Sequence, residues 1–221
     1  MASLTKYFQL RKEHPQLFVN PDEEGVIKII TEPEKIKVLQ AEKKKEYRES
    51  GKKPEWIDIG VLSEDPWFWV LRDLVEFPDG KIGGYLRVLN RKSLDGGTNV
   101  VIMAIQNSKV FVLKHFRHDT RSWYWEFPRG FGEPGLSGEQ NAREELMEEI
   151  GLLPEKLTQI GIMKDGEGET IFYLAEIQEG KPRKPNGEAI QNIKLIELRE
   201  LEKWVFNGQI TDWFTVMAYM M

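Results

Sequence analysis

Apolar positions follow two rhythms along the chain. In the first sixty or so residues they are sparse and helical. Pro33 suits the first position of a helix, and Ile36, Leu39 and Lys43 fall on one helical face. The following "AEKKKEYRESGKKPE", residues 41–55, is dense in charge and ends with Gly and Pro. It reads as a solvated helix end and a linker; the other reading, a basic patch for phosphates, is weakened by the interleaved acids. From Trp56 the texture becomes strand-like. "WFWVLRDLVEF" and "KIGGYLRVLN" flank the turn signal "PDG", and "NVVIMAIQNSKVFVLKHFRH" repeats the pattern as two β-branched runs around "QNSK". "WYWEF" (123–127) predicts a fifth strand, a helix is predicted over Ser137–Ile150, and "LTQIGIM", "TIFYLAEI" and "IQNIKLIEL" predict three more strands. "RELEKWVFNG" and "TDWFTVMAYMM" read as closing helices. Asn207-Gly208 ends the first, and Thr211 or Asp212 caps the second. Strands and helices mix without regular alternation, which predicts an α+β fold or a sheet sandwiched by helices rather than a barrel. The expected division is an extension over 1–60 and a domain over 61–221 that includes the first antiparallel strands.

Composition narrows the chemistry. The 221 residues are 40% hydrophobic and include seven Trp, enough for a core, so this is not a disordered composition. A net charge of -5 lacks the basic footprint of a nucleic-acid binder. There is no Cys, which excludes disulfides and thiolate chemistry, and with three His any metal is expected to take oxygen ligands. The N-terminal residues carry no secretory apolar run, and the longest apolar stretch, Val100–Ile105, is too short to span a bilayer. A soluble, cytoplasmic protein with no membrane partner is the expectation.

Five glutamates crowd into residues 139–149: Glu139, Glu144, Glu145, Glu148 and Glu149. At about 100° per residue, with Glu145 at zero, Glu149 falls near +40° and Glu148 near -60°, so the three are expected to share one face. Ala142, Leu146 and Ile150 lie at roughly +60° to +140°, an apolar stripe beside the acidic face. Like charges spaced i,i+4 cost about 0.2–0.5 kcal/mol on an isolated helix, so the acids either point into water or meet a cation. A solvated acidic face is the plain reading. The preceding "PRGFGEPG" changes the balance: its glycines let backbone approach a ligand, and carboxylates beside such a loop suit a hard divalent ion.

The stretch "EFPRGFGEPGLSGEQNAREELMEEIGL" resembles the Nudix box, G-x5-E-x7-R-E-U-x-E-E-x-G-U. Gly130 stands as its first glycine, Glu145 as the glutamate before the apolar Leu146, Glu148 and Glu149 as the pair, and Gly151-Leu152 as its close. "VFVLKHFRH…WYWEFPRG" and the C-terminal "GEAIQNIKLIELRELEKWVFNGQITDWFTVMAYMM" are similar to the ADP-ribose pyrophosphatase group, and the likeness runs from about Trp67 to Met221. Two box positions differ: Leu136 replaces a glutamate and Glu144 replaces an arginine. Glu139 sits three residues late for the first role, and Arg143 about 100° round from Glu144, so neither simply substitutes.

The resemblance implies a Nudix fold, a mixed β-sheet between helices, and metal-dependent hydrolysis of a nucleoside diphosphate linked to another moiety, of ADP-ribose or nucleotide-sugar type. It implies Mg²⁺ (or Mn²⁺) held by Glu145, Glu148, Glu149 and the Arg129 carbonyl, with Glu148 and Glu149 in catalysis, at reduced affinity or turnover because of Leu136 and Glu144. The general base is expected from the loop before the last strand, Glu188, or from "DGEGE", Glu167 or Glu169. Arg117, Arg129, Gly130 and Trp69 are the expected substrate contacts. Trp67 and Trp69 are candidates to stack a base, with at least one of them in the core, and His115 and His118 read as strand-end residues. A homodimer is implied. The region after the box, "KDGEGET", lacks the group's proline, which leaves the specific substrate open. The alternative is a catalytically impaired Nudix-like module that binds a nucleotide or a protein, and residues 1–60 are a candidate partner-docking segment.

Overall fold

The computed structural model describes residues 2–165, 168–183, 187 and 189–221. The chain divides into two compact units, Met1–Leu94 and Asp95–Met221.

In the first unit, α1 (Leu4–Glu13) starts where the Ser3 side chain accepts the Lys6 N–H, and it turns Tyr7 and Leu10 inward. Strand β1 (Lys28–Ile29) is followed by α2 (Pro33–Glu49), which opens on Pro33 as the sequence predicts and buries Ile36. Most of the charged run is therefore the solvated part of a helix, not a linker; Gly51, at φ +72°, ends it. Strands β2 (Gly60–Glu64), β3 (Phe68–Glu76) and β4 (Ile82–Asn90) follow. β3 pairs along its whole length with β4 and on its other edge with β1 and β2, all antiparallel. A short helix, α3 (Arg91–Leu94), ends the unit.

A buried polar knot ties these pieces. Asp73 on β3 accepts from the Tyr7 hydroxyl at 2.5 Å and from Arg87 Nε and Nη2 at 2.6 and 3.1 Å, while Arg87 Nη1 donates to the Leu17 carbonyl at 2.9 Å. Burial first, and then the Asp73 charge, push the Tyr7 hydroxyl well above the ordinary phenol range.

The second unit is a seven-stranded mixed sheet between helices. Its strands are β5 (Asn99–Gln106), β6 (Lys109–Arg117), β7 (Ser122–Glu126), β8 (Arg129–Gly130), β9 (Pro154–Asp165), β10 (Gly168–Ile177) and β11 (Ile190–Glu197). Asn107 and Ser108 both take positive φ, the geometry of a two-residue hairpin turn, and join β5 to β6. β10 runs parallel to β5, and β11 lies antiparallel on β6. Helix α4 (Gly138–Glu149) covers one face, packing Ala142, Leu146 and Ile150 on Val100, Ile102 and Leu113. The other face carries α5 (Leu198–Phe206) and α6 (Trp213–Met220) through Leu201, Trp204 and Ala218. This is the sandwiched α+β sheet that the sequence predicts.

β5 and β6 do not stay zipped. They pair only at Ile105–Gln106 with Lys109–Val110; beyond that β8 pairs with β5 at Val100–Val101, and β7 pairs with β6 at Leu113–Arg117. The sheet thus parts next to the glycine loop.

The Asp73 knot makes a stability prediction. Asp73→Ala leaves Arg87 and Tyr7 facing an empty acceptor and lowers the unfolding free energy by about 3–5 kcal/mol in urea titration, whereas Tyr7→Phe, which removes one hydrogen bond, costs about 1 kcal/mol.

Candidate active site

Helix α4 begins in a capping box: Ser137 accepts the Gln140 N–H at 3.2 Å, and Gln140 accepts the Ser137 N–H at 2.9 Å. Asn141 then pins the loop to the helix, donating to the carbonyls of Thr98 and Phe131 at 3.1 and 3.2 Å. The loop runs against the protein: a Cβ at Gly132 would overlap the Gly97–Thr98 backbone, and one at Gly130 would overlap the Glu145 carboxylate. Gly130 is therefore glycine because a carboxylate lies where its side chain would stand.

Glu149 turns inward from the last turn of the helix and is buried. Its Oε2 accepts the Arg129 N–H at 3.1 Å, the one hydrogen bond found for it among the described residues. Burial first, then the Glu145 charge, raise its carboxyl well above the ordinary range; the Glu126 charge adds to this, while the Arg129 N–H and the Arg117 charge work against it. Glu145 is half-buried, and Glu148 and Glu144 are exposed. The structure thus brings Glu145, Glu149, Arg129 and Gly130 together and leaves Glu148 on the outer side of the same turn. Among the described residues, no three acidic or imidazole side chains stand as a ready-made metal cage.

Beside this junction, at the parting of the sheet, is a pocket of about 160 Å³ lined by residues that include Arg117, Arg129, Gly130, Phe131, Thr170 and Phe214. The Arg129 guanidinium stacks on Phe214 at 4.8 Å and pairs with Asp212 at 3.1 Å. Asp212 is also the α6 cap: its carboxylate accepts the N–H and hydroxyl of Thr215 at 2.9 and 2.7 Å, and Thr215 Oγ1 accepts the Phe127 N–H at 2.9 Å. The last helix is in this way fastened to the "EFPRG" strand.

One residue at the centre escapes sequence reasoning. Glu126 is fully buried. Arg117 grips both its oxygens, through Nε at 3.0 Å and through Nη2. His115 Nδ1 approaches at 2.9 Å without hydrogen-bond alignment, and Arg129 Nη2 stands at 3.5 Å. Burial alone would raise this carboxyl, but His115, Arg117 and Arg129 together hold it below the ordinary range. The available signal was a lone acid inside the aromatic run "WYWEF", on the face opposite Trp123 and Trp125. His115, read as a strand-end residue, is a buried neighbour of Glu126, while His118 is exposed and meets Arg121 at 2.7 Å. Trp69 belongs to the first unit, packed against that unit's core with Arg91 at 5.3 Å over its ring; Trp67 is exposed there beneath Lys92. Glu169 pairs with Lys164 at 3.4 Å on the β9–β10 hairpin. Glu167 and Glu188 lie outside the described residues.

A mixed sheet between helices, with a glycine loop feeding an acidic helix beside a basic pocket, defines the Nudix class of fold. The model of the NUDIX domain matches residues 97–214, and the chain belongs to the Nudix family. A solved structure described as an ADP compounds hydrolase shares the fold, with a TM-score of 0.61 and 19% identity over 74% of this chain and 88% of that one. No curated protein matches the chain.

The buried Glu149 carboxylate sets a stability sign. A carboxyl whose folded-state pKa is raised contributes stability below its unfolded value and loses it as pH rises through the folded value. In chelator-treated protein, Glu149→Gln is expected to be more stable than the parent by about 1–3 kcal/mol at alkaline pH. The gain should shrink towards about pH 4, where both states hold the proton; urea titrations at the two pH values measure it.

Proposed function

We propose that the protein is a metal-dependent hydrolase of a nucleoside diphosphate linked to another moiety, of ADP-ribose or nucleotide-sugar type, releasing a nucleoside monophosphate and a phosphorylated sugar. The observation that carries this is the Glu149 carboxylate, buried beside Glu145 at the edge of an arginine-lined pocket. A buried carboxylate with a carboxylate neighbour is costly unless a cation joins them. The donors are all oxygens, which suits Mg²⁺ (or Mn²⁺). Glu145, Glu149 and the Arg129 carbonyl would hold the ion, and the exposed Glu148 would complete the set through water or on closure. When bound, the ion supplies neutralisation of the diphosphate and Lewis acidity.

The chain's own residues do the rest. Arg117 and Arg129 present guanidinium charge to the pocket, and the guanidinium fork matches phosphate oxygens. Phe131 and Phe214 wall the same pocket. The Arg129 N–H holds one Glu149 oxygen, which leaves the other to act on the ion. Glu188 is the residue we assign to take the proton from the attacking water, with Glu167 or Glu169 as the second choice. At about 160 Å³ the pocket is smaller than the roughly 300 Å³ at which small-molecule sites begin, so it suits one part of the substrate rather than the whole.

A second reading, a nucleotide- or protein-binding module, draws on Glu144. This residue is exposed where the box has arginine, and Arg143 is engaged elsewhere, with the Pro154 carbonyl and Glu139 at 3.1 Å each. Calorimetry distinguishes the two, since ligand binding without Mg²⁺ and without turnover favours the module.

Incubation with ADP-ribose and Mg²⁺ is expected to yield AMP, and Glu149→Gln to abolish the reaction. Equal inertness of parent and variant over a broad panel of nucleoside diphosphate derivatives defeats the proposal. Gly130→Ala is expected to keep the fold by circular dichroism, because the flexible Glu145 side chain gives way, and to lose about 10²-fold in turnover through that displacement.

A further inference from the structure

We infer that Glu126 is a positioning residue, which aims Arg117 at the ligand's phosphates and ties that arginine to the loop holding Glu149. The inference rests on the reading of the pocket as a diphosphate site. It stands on the pairing of β6 with β7. That register sets Leu113 opposite Glu126 and Arg117 opposite Ser122, so Glu126 and Arg117 share one face of the two strands. The Arg117 fork closes on Glu126 with Nε and Nη2 and leaves Nη1 outside the pair. Arg117 lines the pocket and is 29% exposed, while Glu126 is 1% exposed. The carboxylate is thus the fixed member and the arginine the one that reaches out.

A stability role alone does not explain this arrangement. A buried ion pair is no better for stability than apolar packing of the same volume. What Glu126 provides is geometry. A guanidinium gripped on two edges loses its freedom to swing, so less ordering is needed when a phosphate arrives. The same carboxylate reaches Arg129 Nη2 at 3.5 Å, and the Arg129 main-chain N–H holds Glu149. One side chain therefore stands between the phosphate-facing arginine and the acidic helix.

The test is a double-mutant cycle on the full chain, read by calorimetric affinity for ADP, which needs no turnover, and by KM and kcat for ADP-ribose with Mg²⁺. Glu126→Gln, nearly isosteric, and Arg117→Ala are each expected to weaken ADP about tenfold or more. The double variant should be no weaker than the worse single one, because both remove the same device. Arg117→Lys, at a half-exposed strand end where folding is not at risk, keeps the charge but not the two-edged grip, and is expected to match Glu126→Gln. KM should rise more than kcat falls. Unchanged ADP affinity in Glu126→Gln, strictly additive effects, or no ADP binding by the parent protein overturns the inference. A merely structural role would lower the melting temperature and the active fraction with affinity and KM intact, and that result also overturns it. Coupled ADP binding in a chain that hydrolyses nothing supports the inference and defeats the hydrolase; turnover with additive effects does the reverse.

Discussion

The site depends on two carboxylates taken out of water close enough to feel one another's charge, Glu126 and Glu149. The fold treats them in opposite ways. Glu126 is surrounded by Arg117, His115 and Arg129, which favour its ionised form against the effect of burial. Glu149 receives one backbone N–H and the nearby charge of Glu145, and its ionised form is disfavoured. Two like groups in unlike surroundings divide the labour: one is fully satisfied and orders its neighbours, and the other is left short of positive charge and so is receptive to a cation.

That division follows from the way the sheet opens. A long hairpin normally keeps its ladder, because unpaired backbone groups in the interior are costly. β5 and β6 separate early, and the freed edges are taken by the short β8 and by β7. The chain between those two strands is "FP". The Pro128 carbonyl accepts from Ile102 at 2.8 Å, and the Phe127 N–H finds Thr215, so the opening is satisfied without closing. The pocket lies beside the parted ladder, lined by residues of β5, β6, β8 and β10, by Phe131 of the glycine loop and by Phe214 in the first turn of α6.

Much of this was legible in the residues because local signals are strong here. The helix start at Ser137, the turn within "QNSK" and a cap at Thr211 or Asp212 are short-range chemistry; the structure has the helix opening on a Ser137–Gln140 capping box, the turn at Asn107–Ser108 and the cap at Asp212. The glutamate spacing forecast that Glu145, Glu148 and Glu149 share a face with an apolar stripe beside them; the stripe is buried as forecast, but Glu148 is exposed on the outer side of the turn while Glu149 is buried. The charged run from Ala41 reads as a solvated helix end, and it is one: helix propensity of Glu and Lys carries α2 to Glu49 with none of residues 41–49 buried. The depth of Glu149 was not legible, since a wheel gives angle and not the height of the loop above it. Glu126 was missed for a related reason. Its role needs the pairing of β6 with β7, a contact between residues whose partnership no local period encodes.

The same long-range pairing bears on the missing box arginine. Glu144 stands where that cation would be and is exposed, and its neighbour Arg143 is committed to Pro154 and Glu139. The helix therefore gains no steadying charge from this position of its own surface. Positive charge reaches Glu149 from the opposite side, across the opening of the sheet, where Arg117 acts against the rise caused by burial and Glu145. Arg117 is in turn gripped by Glu126, so the counter-charge of the acidic helix is set by strand geometry instead of by an i,i+4 neighbour. A helix surface cation would be screened by water and worth a few tenths of a kcal/mol. A half-buried guanidinium on a fixed carboxylate acts at lower dielectric and with less freedom, yet it is the weakest of the influences on Glu149, which stays short of positive charge.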